Sequence, residues 1–216
     1  LGCGQINKSC LRSILTQLPN VKKIICYDIF EAAADKFVDW EKAEIGIDAV
    51  AEMDLEKAVK DADVLTVAAS RLKPLYVKDE WLKEGVTVLI TGPMQTDDSF
   101  WMSTKLIYDN VRLHEAYVQE AIDSGDKAGY YKGVIGGPIY TLIEAGKMPK
   151  LEDSTSIGEV ILGEKAGRAD DKERITFVAC GMATFDVGLG YDLYHTALDK
   201  GIGTKLKLWD DPYQAK

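Results

Sequence analysis

Leu1-Gly2-Cys3-Gly4-Gln5-Ile6-Asn7 opens the chain, and its reading decides the fold. It has the form G-x-G-x-x-N. An apolar helical face follows through Ile6, Cys10, Leu11, Ile14, Leu15 and Leu18, and Pro19-Asn20 stops it. Next comes a β-rich run, Ile24-Ile25-Cys26-Tyr27, ending at Asp28. Dinucleotide binding asks for each of these parts. Gly2 permits a tight turn, and Gly4 lets backbone approach a pyrophosphate. The helix N-terminus at Gln5 and Ile6 offers free N–H groups and the positive end of its dipole. Asn7 stands where a third small residue is usual, so close helix–sheet packing is less assured there. Asp28, 24 residues after Gly4, is placed to accept both adenosine ribose hydroxyls. A 2′-phosphate would face that carboxylate at a cost of about 4 kcal/mol, taking a separation of about 4 Å and an effective dielectric of about 20. Ile29 and Phe30 supply no arginine to offset it, so NAD is preferred to NADP.

Outward from this turn the chain alternates short strands with helices. Glu31 to Lys42 reads as a helix, Ala49–Ala51 as a weak strand, and Asp54 as the cap of a short helix through Val59. Val64–Ala68 and Val86–Ile90 are continuous β-rich runs of the kind buried on both faces of a parallel sheet. The pattern predicts a helix over Asp97–Asp109, a strand at Val111–Leu113, and short helices with loops over Tyr117–Lys150. The glycines at 133, 136 and 137 suit a loop. Ser156-Ile157-Gly158-Glu159 has capping-box spacing, with Gly163 closing its helix. Ile175–Val178 reads as a strand and about Phe185 to Lys200 as the last helix. The fold class is therefore α/β: a Rossmann-type, doubly wound, mostly parallel sheet flanked by helices. Most of its first strand is lacking, with Leu1 alone standing for it. The absent initiator Met and the abrupt glycine turn read as a cut within that strand.

Composition narrows the function. The 216 residues carry 26 Lys+Arg against 35 Asp+Glu, a net charge of −9, with no basic run to suit nucleic acid or an anionic membrane. No apolar stretch reaches spanning length, and no basic n-region opens the chain. Cys3, Cys10, Cys26 and Cys180 lack C-x-x-C spacing and read as buried thiols of a reducing cytosol. Two histidines, His114 and His195, make a His-based zinc site unlooked for, and no metal is expected.

Several segments share one pattern in order and spacing. They are the opening turn, Ala58–Val64 before Thr66-Val67-Ala68, Pro74, Trp81-Leu82-Lys83-Glu84-Gly85, and Gly92. Later come Gly158-Glu159-Val160 with Gly163, Gly167-Arg168, Ile175-Thr176, and Gly181-Met182-Ala183-Thr184-Phe185-Asp186. Over nearly its whole length the chain resembles the ornithine cyclodeaminase/μ-crystallin family. That resemblance implies NAD(P)-dependent chemistry at an amino-acid α-carbon through an imine, on a small amino- or keto-acid substrate, in a cytoplasmic homodimer. It also implies an N-terminal substrate and dimerisation domain that this chain lacks. Residues 1–184 are then the cofactor domain, and 185–216 a helix and tail that pack on the absent domain.

Asp186 matches the position of the family's catalytic carboxylate, suited to accept and return the protons of amine and imine. As a plain sequence feature it also suits a helix cap. Thr66, Ala68 and Ser70 follow the strand that faces the cofactor in open α/β sheets, and Gly92 ends the next strand, where the nicotinamide ribose passes. His114 and Glu115 fall at an expected strand end where the family shows Asp, and His114 reads as structural. Two other classes fit less of the sequence. One is a non-catalytic binding protein of the μ-crystallin type. The other is a methyltransferase, suggested by Asp211-Pro212-Tyr213, a motif displaced here to the chain end.

Overall fold

The structure is a computed structural model that describes residues 1–69 and 73–207. They divide into two units, Leu1–Cys180 and Gly181–Lys216. In the first unit the order is α1 (Gln5–Gln17), β1 (Lys23–Cys26), α2 (Glu31–Glu44), β2 (Asp48–Ala51), α3 (Leu55–Val59) and β3 (Val64–Val67). Then come β4 (Leu75–Tyr76), β5 (Thr87–Ile90), β6 (Met94–Gln95), α4 (Asp98–Ser103), β7 (Lys105–Tyr108) and α5 (Val111–Asp123). The unit closes with α6 (Lys127–Gly133), α7 (Gly137–Glu144), β8 (Thr155–Ser156), α8 (Ile157–Ile161) and β9 (Ile175–Val178). The second unit holds α9 (Ala183–Asp199).

The central sheet runs β3–β5–β9–β7–β8, with β1–β2 beside it, and every pair is parallel. Leu1 and Gly2 join the two sheets. The Leu1 nitrogen donates to Thr66 O at 2.7 Å and Ala68 N–H to Leu1 O at 3.0 Å, while Gly2 N–H donates to Tyr27 O at 2.9 Å. The spatial order is thus β2–β1–Leu1–β3–β5–β9–β7–β8. The reversal of winding, the switch point of such sheets, falls at the opening turn.

Local chemistry sets several boundaries. Asp54 accepts from the amides of Glu56 and Lys57, so α3 starts where its cap predicts. Ser156 and Glu159 form a reciprocal capping box on α8, and Gly163 follows at φ +74°. Packing sets the rest. In β3 and β5 one face is fully buried, through Leu65, Val67, Val88 and Ile90, while the other is only half-buried. The main core adds Val86, Phe100, Trp101, Tyr108, Ile139 and Tyr140, and a smaller one gathers Cys26, Phe37, Val38 and Ala49. At about 1.5–3 kcal/mol for each large apolar side chain removed from water, these clusters decide where the strands lie.

The structure departs from three expectations. Asp97–Asp109 is not one helix: α4 ends at Ser103 and Lys105–Tyr108 is strand β7. Consequently Val111–Leu113 is no strand but the first turn of α5, capped by Asn110. Pairing of β7 with Ile175–Val178 overrides the helical pattern. The glycines at 133–137 form no open loop either. A Cβ on Gly137 would lie 1.8 Å from Tyr131 O, because α6 and α7 meet backbone to backbone there.

Candidate functional site

The structure gathers Gly2, Gly4, Asp28, Thr66, Ala68 and Gly92 about the carboxyl ends of β1, β3 and β5. Gly2 has φ +86°, and a Cβ there would lie 2.8 Å from Ala68 O. From the other side a Cβ on Gly92 would lie 3.1 Å from Ala69 N and 3.2 Å from Ala68 Cα. Backbone 68–69 is therefore threaded between two glycines, the physical reason both are glycine. Gly4 differs: its Cβ would meet nothing within 4 Å, so that side of the turn is open. Gly4 also begins α1 with no side-chain cap, and no acidic residue occupies the first turn. The amides of Gln5 and Ile6 thus lack helical partners and point the dipole's positive end at the open space.

Asp28 completes the cradle. Its Oδ2 accepts from Cys3 N–H at 2.9 Å and its Oδ1 from Phe30 N–H at 3.1 Å. The carboxylate stands at the lip of the glycine turn, beside the exposed Ile29 and Phe30. Asn7 holds the turn in a way that the spacing alone does not reveal. Its buried amide donates to Leu1 O at 2.8 Å and Gly2 O at 2.6 Å, bracing the turn by hydrogen bonds where a third small residue would brace it by contact. Ser70 lies outside the described residues, as do Asp211, Pro212 and Tyr213.

Asp186 sits in the second unit, in the first turn of α9, and is exposed. It does not cap that helix; Met182 holds the cap position. Along α9 large apolar side chains are exposed, among them Phe185, Leu189 and Leu193, each more than 60%.

A second polar cluster lies at the carboxyl ends of β7 and β9. Since β7 ends at Tyr108, the strand-end residue is Asp109, and the expected departure at His114 disappears. Asp109 accepts from Asn110 N–H and Cys180 N–H, each at 2.8 Å, and meets His114 Nε2 at 2.9 Å. Fully buried His114 reaches Tyr140 Oη through Nδ1 at 2.5 Å. Nε2 faces the Asp109 carboxylate, an acceptor, and Nδ1 faces the Tyr140 hydroxyl, so the ring bridges the two groups. Burial pushes the Asp109 carboxyl up, but the bonds from His114, Asn110 and Cys180 outweigh it and hold the group below its ordinary value. Burial, with Asp109 beside it, pushes the Cys180 thiol up to about 12.

This network predicts a pH dependence. A carboxyl depressed by folding contributes stability that is complete above its unfolded value of about 4 and is lost as pH falls through the folded value. Thermal unfolding at pH 7 and pH 3 should therefore show a steeper acid loss in the native protein than in Asp109→Asn. Equal losses would contradict it.

A cleft of about 480 Å³ lies elsewhere, lined by Lys78, Asp79, Asp97, Ser99 and Arg174. Its charges satisfy one another, Arg174 with Asp79 and Tyr76 with Asp97, so it supplies no open recognition chemistry. Among the described residues no group of three or more His, Cys, Asp or Glu is placed to hold a metal ion, and no helix is long and apolar enough to cross a membrane.

The parallel sheet, its switch point at a glycine turn and the strand-end acid define a doubly wound α/β unit of the Rossmann type. The chain belongs to the ornithine cyclodeaminase/mu-crystallin family, whose model matches residues 1–201. It is 26% identical over 210 residues to N-((2S)-2-amino-2-carboxyethyl)-L-glutamate dehydrogenase of Staphylococcus aureus, covering 97% of this chain and 57% of that protein. It is 30% identical over 217 residues to alanine dehydrogenase of Archaeoglobus fulgidus, covering 97% and 59% respectively. A solved archaeal alanine dehydrogenase dimer with bound NAD superposes with a TM-score of 0.73 at 28% identity, over 96% of this chain and 59% of that one. The chain thus spans somewhat under three-fifths of the length of these relatives.

Proposed function

We propose that this chain is the NAD-binding part of an enzyme that acts at the α-carbon of a small amino or keto acid through an imine, by redox or by cyclodeamination. The observation that carries the reading is Asp28 bonded to the Cys3 amide at 2.9 Å, beside an uncapped helix and the open face of Gly4. These residues fit a dinucleotide. The amides of Gln5 and Ile6 would hold its pyrophosphate, Asp28 its adenosine ribose, and Thr66, Ala68, Ser70 and Gly92 its nicotinamide half. NAD, when bound, supplies a hydride acceptor or donor. The archaeal relative's bound NAD supports that choice, and Asp28 without a neighbouring arginine favours NAD over NADP.

Asp186 is the proposed catalytic carboxylate. Oxidation of an amine requires its neutral form, and the resulting imine must take up water or an internal amine. A carboxylate at the α-carbon accepts the first proton and returns it in the second step. In the complete protein, α9 and the tail, residues 185–216, pack on a substrate and dimerisation domain of a cytoplasmic homodimer. The exposed apolar side chains of α9 support this arrangement, and the dimeric relative supports the oligomer.

Turnover tests the reading: NADH consumption, or ammonia release, across a panel of amino and keto acids with the complete protein. Stoichiometric ligand binding with no turnover across the panel would overturn catalysis and leave a binding protein of the μ-crystallin type.

A further inference from the structure

Two of the four cysteines meet under the glycine turn. Cys3, half-buried, is the middle residue of Gly2-Cys3-Gly4, and its thiol donates to Tyr27 O at 3.6 Å. Cys26, only 4% exposed, ends β1 in the small core against which Cys3 packs. Both line one cavity of about 60 Å³, together with Gly2, Asn7, Leu11 and Phe37. The proximity of the two thiols holds Cys3 below the ordinary thiol range and Cys26 well above it, with burial adding to the rise. Cys3 is thus the accessible, more acidic member and Cys26 a protonated partner within reach. Cys10 and Cys180 are both shifted upward by burial and have no such partner thiol.

We propose that Cys3 and Cys26 are a reversible modification site, which a hydroperoxide converts to a disulfide, and that the disulfide closes the cofactor turn. The second half rests on the reading of that turn as an NAD site. In the first step the Cys3 thiolate attacks the peroxide. The O–O bond breaks, a sulfenic acid forms on Cys3, and the departing alkoxide or hydroxide takes up the proton that Cys3 released. In the second step the Cys26 sulfur attacks the Cys3 sulfur. The S–S bond forms, the S–O bond breaks, and hydroxide leaves as water with the Cys26 proton. Two thiols and one hydroperoxide give one disulfide, one alcohol (water, from hydrogen peroxide) and one water. A thiol reductant restores the pair.

Closure follows from what holds the turn. Gly2 is pinned, its α-carbon facing Ala68 O with no room for a Cβ, so the turn cannot follow as a block. Cys3 is the residue that must move to bring its sulfur to a bond of about 2.05 Å. Its amide is bonded to Asp28, so the movement withdraws the donor that orients the ribose carboxylate.

The test is hydrogen peroxide treatment of the reduced protein, followed by peptide mapping and by NADH titration. Cys3 and Cys26 should be found linked, with the NADH dissociation constant raised at least about tenfold and restored by dithiothreitol. Cys26→Ala, which leaves the turn itself untouched, should bind NADH like the reduced native protein and show no dithiothreitol-reversible loss. Should that variant fold poorly, Cys26→Ser serves, and mapping of the native protein still decides. Unlinked Cys3 and Cys26 peptides would overturn the site. Linked protein that binds NADH with unchanged affinity would overturn the gating. Reduced protein that binds no NADH would sink the cofactor reading and the gating together, while the cross-link alone would still report the thiol pair.

Discussion

Asp186→Asn is expected to lower turnover by about a thousandfold while leaving NADH affinity and thermal stability unchanged. The substitution keeps the size of the side chain and removes its capacity to take a proton, and general acid–base groups contribute about 10²–10⁴ in rate. The fold does not depend on the carboxylate. Met182 holds the α9 cap, Asp186 is exposed, and no ion pair of the described residues includes it. A surface change of this kind alters stability by less than about 0.5 kcal/mol. The measurement is kcat on the best substrate of the panel beside an NADH titration of the same preparation. A variant turning over at the native rate would place the proton transfer on another group. A variant that lost NADH binding would make Asp186 part of the cofactor site instead.

Gly2→Ala and Gly4→Ala should separate two reasons for glycine in one turn. At Gly2 the new methyl would sit 2.8 Å from Ala68 O and 3.0 Å from Ala69 Cα, at φ +86°. Strain at such a φ costs about 1–2 kcal/mol, and the overlap with backbone adds to it. The turn also joins the two sheets through Leu1 and Gly2. The melting temperature should therefore fall, and NADH affinity should drop by about a hundredfold as the turn shifts. At Gly4 the methyl meets no protein atom within 4 Å, so stability should hold while NADH affinity falls, because the methyl occupies the approach of the pyrophosphate. Equal melting losses in both variants, or undisturbed NADH binding in either, would contradict this account of the cradle.

The parts of the fold and site visible in the sequence are those fixed by neighbours in the chain. The opening turn, Asp54 as a cap, the Ser156–Glu159 box and Asp28 at the end of β1 each depend on residues a few positions apart, or on one strand and its flanking turn. Lys105–Tyr108 falls inside the helix expected over Asp97–Asp109, because no glycine or proline separates it from Phe100 and Trp101. What makes it a strand is pairing with Ile175–Val178, about 70 residues away in the chain, which no local pattern encodes. The Asp109–His114–Tyr140 cluster depended on that strand, and so remained out of sight. His114 reads as structural, but its partners Asp109 and Tyr140 meet it only once β7 and α7 are in place. Asn7 was legible as a departure from the small third residue, but not as a brace, since its carbonyl partners are aligned only by the folded turn. The contact of Cys3 with Cys26 arises in the same way, from the turn folding back over the end of β1.

The most direct test of the central claim, an NAD site built on the glycine turn and Asp28, is a titration of the complete protein with NADH and NADPH, repeated on Asp28→Ala. The native protein should bind NADH at least about tenfold more tightly than NADPH, since the 2′-phosphate would meet the Asp28 carboxylate. Asp28→Ala should weaken NADH and erase the preference. Equal affinity for the two cofactors in the native protein, or an Asp28→Ala variant that binds NADH as well as the native chain does, would contradict it.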